Sequence, residues 1–213
     1  MEEYHQLHYM KSVNIPAHPR SISRSFFLPH HGVWRESSST TKLRVVFIGS
    51  RRSSRGISLN ECLYAGPKLQ LNISDVLLQW RLHFIVFSVD VEKMCRQIIV
   101  HQDDQDLQLI LWRESQNEPV QVFRLSTVTY GLTCAPFLAL RTVQQLGLDE
   151  GDRFPLAAEV IKNGTYVDDV LSGVGNLEDA IELHNQLRGL FMAGGLPLKK
   201  WNSNSHELMQ RIP

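Results

Sequence analysis

The stretch HFIVFSVDVEKMCRQI, residues 83–98, constrains the fold more than any other. Phe84 to Phe87 is a continuous apolar run with the length of a strand buried on both faces. A strand of that kind needs a sheet with a covered interior. The run is expected to end at Asp90, and a carboxylate in such a place is costly unless it is paired, hydrogen-bonded or metal-bound.

A second stretch, TYVDDVLSG (residues 165–173), sets Asp168 and Asp169 between Tyr166-Val167 and Val170-Leu171 with no basic neighbour in sequence. Aspartate is a favoured turn residue, so a hairpin turning at Asp168-Asp169 is one reading. The other is that a divalent cation offsets the repulsion, since hard oxygen ligands bind magnesium or manganese. That reading needs further carboxylate, and Asp90 can supply it. If its strand lies beside the hairpin, three acidic side chains converge at one sheet edge, as in sites that hold two divalent ions about 3.5–4 Å apart.

With 213 residues, 43% of them apolar, the chain can bury one sizeable core or two small lobes and is too hydrophobic to be disordered. No apolar run approaches the roughly 18 residues of a membrane span. The start, MEEYHQLHYMK, lacks the apolar stretch of a signal peptide. An intracellular protein, cytoplasmic or nuclear and not secreted, is expected, with no membrane partner. Cys62, Cys95 and Cys134 form no C-x-x-C pair and are expected to be reduced and mostly buried. The net charge of zero hides an asymmetry: residues 1–100 carry 13 Lys/Arg against 7 Asp/Glu, residues 101–213 carry 9 against 15. A basic half suits a polyanion and an acidic half suits metal ligands. The densest basic stretch, KLRVVFIGSRRSSRG, reads equally as a solvated strand and loop.

Residues 1–25 are polar and without periodicity and are expected to be a loosely ordered leading segment, followed by a single domain over 26–213. Two apolar runs flanking Ser37 to Thr41 predict a β-hairpin. Ser74 is expected to cap a helix that runs to about Leu82. Leu107–Trp112 and Val120–Leu125 predict an antiparallel pair. Phe137, Leu138, Leu140, Val143 and Leu146 have helical spacing behind Pro136. Asn176 is placed to cap a last helix that ends at Gly194-Gly195. The mixture, with its antiparallel hairpins, predicts an α+β fold with helices on one face of the sheet.

The TYVDD stretch resembles the Y-x-D-D box of reverse transcriptases. LPHHGVWRESSSTTKLRVVF, SVDVEKMCRQIIVH, VTYGLTCAPFLALR, DEGDRFPLA and LKKWNSNS are similar, in order and spacing, to the Pao/BEL-type LTR retrotransposon branch. The likeness runs from about residue 26 to the C-terminus. It implies a right-hand polymerase reduced to fingers and palm, an RNA-directed DNA polymerase that transfers nucleotides from deoxynucleoside triphosphates to a primer on an RNA or DNA template. Its cofactor would be Mg²⁺, or Mn²⁺. By the same resemblance Asp90 and Asp168 are the principal metal ligands, Asp169 is the third carboxylate, and the Val91 carbonyl completes the metal shell. Arg44 corresponds to an arginine that lies over the incoming nucleotide, with Lys42 as a helper. Tyr130 and Gly131 line the nucleotide and template pocket. Lys199 or Lys200 lies where a lysine approaches the pyrophosphate.

Three departures stand against a working enzyme. Ile48 stands where the family usually has an aspartate, and Cys95 where it usually has an aromatic ring against the sugar. A cysteine there either leaves the sugar ungated or fills a core gap. No thumb, RNase H or integrase precedes Pro213, so the chain is expected to be a fragment with the thumb absent. The alternative is a catalytically degenerate remnant with the same fold and at most weak nucleic-acid binding. An unrelated metal-dependent phosphohydrolase accounts for the carboxylates and leaves LRVVF and the TYG box unexplained.

Overall fold

The computed structural model describes residues 1–13, 24–36 and 43–212. The chain divides into two compact units, Met1–Gly66 with Ile98–Ala135, and Pro67–Gln97 with Pro136–Pro213. Among the described residues the sheets are antiparallel and are mixed with helices, a fold of the α+β kind.

The first unit opens with a short helix, α1 (Glu2–Gln6), and a strand, β1 (Met10–Ser12). The leading segment is thus not loose throughout, because β1 pairs with a later strand and Met10 is buried; residues 14–23 lie outside the described residues. The expected hairpin is present as β2 (His30–Trp34) against β3 (Leu43–Phe47), with Val33 opposite Arg44. A one-turn helix, α2 (Leu59–Cys62), is held by a capping box in which the Ser58 hydroxyl accepts from the Glu61 amide and Glu61 accepts in return from the Ser58 amide.

The second unit begins with α3 (Ile73–Trp80). Asn72, not Ser74, is its N-cap, and it ends at Trp80, short of the expected Leu82. The Trp80 indole donates to the Phe87 carbonyl at 3.0 Å, which pins the helix to the next strand, β4 (Ile85–Val91). That strand is not buried on both faces as the apolar run predicts. Ile85, Phe87, Val89 and Val91 are buried, Val86, Ser88 and Asp90 are half-buried, and Phe84 lies outside it, 80% exposed. The pattern is that of a sheet with one covered face. A short helix, α4 (Met94–Gln97), follows.

The chain returns to the first unit for a 3-10 turn (Gln102–Gln108) and the expected pair β5 (Leu109–Trp112) and β6 (Gln121–Leu125), with β1 on the far side of β6. Then come α5 (Ala135–Asp149), the helix expected behind Pro136, and α6 (Pro155–Asn163), which the reading above does not include. Next are β7 (Thr165–Tyr166), β8 (Asp169–Val174), α7 (Leu177–Ala193), β9 (Leu198–Ser203) and α8 (His206–Arg211). The side chain of Asn176 caps α7 as anticipated, accepting from the Asp179 amide at 2.9 Å.

The sheet of the second unit has the order β7-β8-β4-β9. On its covered face the His184 ring of α7 lies tilted against Trp201 of β9, centroids 4.5 Å apart, and Trp201 meets Phe87 of β4 with centroids 5.4 Å apart. Leu183, Leu187, Leu190 and Phe191 bury the rest of α7, each fully buried large side chain contributing about 1.5–3 kcal/mol. Asp90 has the opposite parity to Phe87 and so belongs to the other face. Of the three cysteines only Cys95 is buried; Cys62 is exposed and Cys134 half-buried, so the expectation of mostly buried thiols holds for one. The half-buried Cys134 thiol is pushed up by its partial burial. Among the described residues no helix is long and apolar enough to cross a membrane.

Candidate active site

Two neighbouring strands of the second unit bring the aspartates together. In the β4–β8 ladder Asp90 stands directly opposite Asp169. The amide of Val91 donates to the Asp168 carbonyl at 2.8 Å, which ties the turn before β8 to the end of β4. Like charges directly opposite one another destabilise an antiparallel pair, and the effect shows on Asp169. Partial burial, then the negative Asp168 and Asp90, hold its carboxyl above the usual carboxylate range, while Lys200 pulls it back.

The turn itself falls one residue earlier than Asp168-Asp169. Tyr166 pairs with Asp169, so the two turn residues are Val167 and Asp168, and Asp169 begins β8. Val167 has φ +56° and Asp168 does not share it, the φ signs of a type II′ hairpin, whose first turn position favours glycine. A β-branched residue there is a genuine outlier. Among the described residues four non-glycine positions have positive φ: His8, Lys93, Val167 and Lys200. Two of them, Val167 and Lys200, adjoin the aspartates, on two separate segments. Strain held at two points around one spot is characteristic of functional sites.

Two cations reach this region from β9. The ammonium of Lys200 lies 3.0 Å from Asp90 Oδ2, and that of Lys199 lies 2.8 Å from Glu92 Oε2. Of the two lysines expected near the pyrophosphate, Lys200 is the one on the aspartates. Val91 is buried, with its amide committed to Asp168. Cys95 is 5% exposed on α4, which agrees with the core-filling reading of that residue.

The remaining candidates belong to the first unit. Arg44 is exposed on β3. Lys42 lies outside the described residues. Tyr130 is 46% exposed, and Gly131 has φ +92° with its α-carbon so close to the Phe47 carbonyl oxygen that a side chain would collide. Asn60, which sequence reasoning missed, organises this loop: its Nδ2 donates to the Gly131 carbonyl at 3.0 Å and its Oδ1 accepts from the Thr133 amide at 3.0 Å. A lone asparagine in a one-turn helix carries no sequence signal of such a role. Asn204 is a second omission. Its side chain accepts from the Val86 amide and donates to the Phe84 carbonyl, extending the pairing of β4 beyond β9.

The donor chemistry of the aspartate cluster suits a hard divalent ion, since its ligands are carboxylate oxygens whose mutual repulsion a cation relieves. Among the described residues no three His, Cys, Asp or Glu side chains are already drawn into a cluster that could hold an ion. No protein-family model matches the chain, and comparison with curated proteins finds no match.

Proposed function

We propose that the chain is the fingers and palm of an RNA-directed DNA polymerase of the Pao/BEL retrotransposon type, the first unit supplying fingers and the second the palm. The observation that carries the reading is the placement of Asp90 opposite Asp169, with Asp168 tied by its carbonyl to Val91, at the end of an antiparallel sheet whose other face is covered by α7. Asp90 and Asp168 would be the principal ligands of Mg²⁺ or Mn²⁺, with Asp169 and the Val91 carbonyl beside them. The bound ions would supply Lewis acidity toward the primer 3′-hydroxyl and the triphosphate.

The protein's own part is positioning. The strained Val167 turn holds Asp168 beside the end of β4, and the β4–β8 register holds Asp90 against Asp169. Arg44, a planar and permanently charged fork, would contact the triphosphate, and Tyr130 and Gly131 would form part of the nucleotide and template pocket. Template, primer and deoxynucleoside triphosphates are the partners this assigns.

Primer extension on an RNA template with Mg²⁺ or Mn²⁺ tests the proposal, with Asp168→Asn as control. Extension by the parent that Asp168→Asn abolishes is the expected result; extension unaffected by the substitution refutes it. A second reading, the same fold with its chemistry lost, is favoured by the buried Cys95 in place of a ring and by Ile48 in place of an aspartate. Metal binding that depends on Asp168 without any extension would establish that reading instead.

A further inference from the structure

Strict strand alternation would send Lys199 and Lys200 to opposite faces of β9. Instead both are exposed, between the half-buried Leu198 and Trp201. The cause is a bulge. Ser88 pairs with Asn202 and Asp90 with Lys199, so β9 uses one residue more than β4 over the same span. Lys200 takes up the excess with φ +59°, while the ring contacts of Trp201 with His184 and Phe87 fix the bulge from the covered side. The result is two cations on two acids, Lys199 on Glu92 and Lys200 on Asp90. Glycine or asparagine is the residue this backbone favours. A lysine held there despite the strain points to a use for its side chain.

We propose that Lys200 is a tethered cation that the bulge holds on Asp90, and that a divalent ion taken up by the aspartates must displace its ammonium. Lys200 is then a positioning residue that sets how tightly the site holds metal. The inference rests on the aspartates being a metal site and adds a competitor to it. An oxygen that accepts from an ammonium at 3.0 Å shares its lone pairs with that proton, and the ammonium repels any second cation at the same carboxylate. Lys200 is 61% exposed against 25% for Asp90, so the lysine can withdraw into water while the aspartate stays. Pairs this open are worth a factor of about two to five in an equilibrium, enough to tune metal affinity without blocking it.

The test is Mn²⁺ binding by the full chain, read from the paramagnetic resonance of the unbound ion. Parent protein should bind Mn²⁺ and Asp168→Asn should not. Lys200→Met should bind about two- to fivefold more tightly than the parent, and Lys200→Arg, which keeps the cation, should match the parent. If Lys200→Met does not fold, Lys200→Gly, which suits the backbone and also removes the charge, should show the same tightening. Parent binding with unchanged or weaker affinity in the charge-deleted variant overturns the proposal and leaves the metal site standing. Absence of any Asp168-dependent Mn²⁺ binding overturns the metal site itself and the proposal with it.

Discussion

Replacing Val167 by glycine and, separately, by alanine isolates the strain at the turn that carries Asp168. Both substitutions remove the two γ-methyls and their contacts, and the variants differ only by the β-carbon, so their difference chiefly reports the backbone. At ordinary φ, glycine is less stable than alanine by about 0.5–1 kcal/mol. At φ +56° an L-residue bears about 1–2 kcal/mol that glycine does not. The glycine variant should therefore be the more stable of the two by about 0.5–1 kcal/mol, a reversal of the usual order. For a chain of 213 residues this is about 2–4 °C in Tm per kcal/mol. Urea denaturation of both variants, with equal slopes, measures it. If the alanine variant is the more stable, the turn is not strained and the argument that strain holds Asp168 in place fails. Where the argument is right, the glycine variant should also extend primers more slowly than the parent, because relief of strain frees the turn that positions the carboxylate.

Asp90→Asn and Asp168→Asn should each abolish metal-dependent extension while melting no lower than the parent, since removing one of several clustered like charges relieves repulsion; a large drop in both midpoints would make the aspartates structural. Gly131→Ala should destabilise the chain by about 2 kcal/mol or more, combining the positive-φ penalty with the collision at the Phe47 carbonyl, and a thermal shift under 2 °C would contradict the geometry. Burial, with a smaller contribution from the Arg188 charge, holds His184 below its ordinary value of 6.5, partly opposed by Asn185. The unfolded chain then takes up the proton first, so stability is fully present above about pH 6.5 and is lost as pH falls through the folded-state value. Melting curves between pH 7.5 and 5 should show that slope in the parent and not in His184→Gln.

What was legible in the sequence were the segments whose local rules agree. The Asn176 cap, the acidic first turn and the closing glycines all mark α7. The apolar runs on either side of Ser37 to Thr41 mark the β2–β3 pair. Errors arose where one rule spoke alone. The apolarity of Phe84 to Phe87 suggested burial on both faces, yet Phe84 is mostly exposed and β4 alternates. Ser74 looked like a cap because serine often is one, but the helix begins a turn's fraction earlier at Ile73. The β1 strand was missed because three residues show no periodicity, and their place comes from pairing with β6. Of the site, the three aspartates were identifiable from their unfavourable setting; the Lys200–Asp90 contact was not, because it spans 110 residues and depends on a bulge.

The bulge explains why β9 escaped detection, and the reason is physical. Alternation in LKKWNS is broken at Lys199-Lys200, so the segment lacks the period-two signal of a strand. The same irregularity puts both lysines beside acids of β4 and its continuation, and a comparable departure, a valine where a type II′ turn favours glycine, sets Asp168 beside Asp90 and Asp169. Sequences that fold well are locally consistent almost everywhere and depart from the rules chiefly at functional or strained places. In this unit two independent departures, on β9 and on the β7–β8 turn, converge on one group of carboxylates. Each sets charge against charge at the end of β4. Their coincidence is the strongest structural reason to look for the chemistry of this chain at Asp90, Asp168 and Asp169.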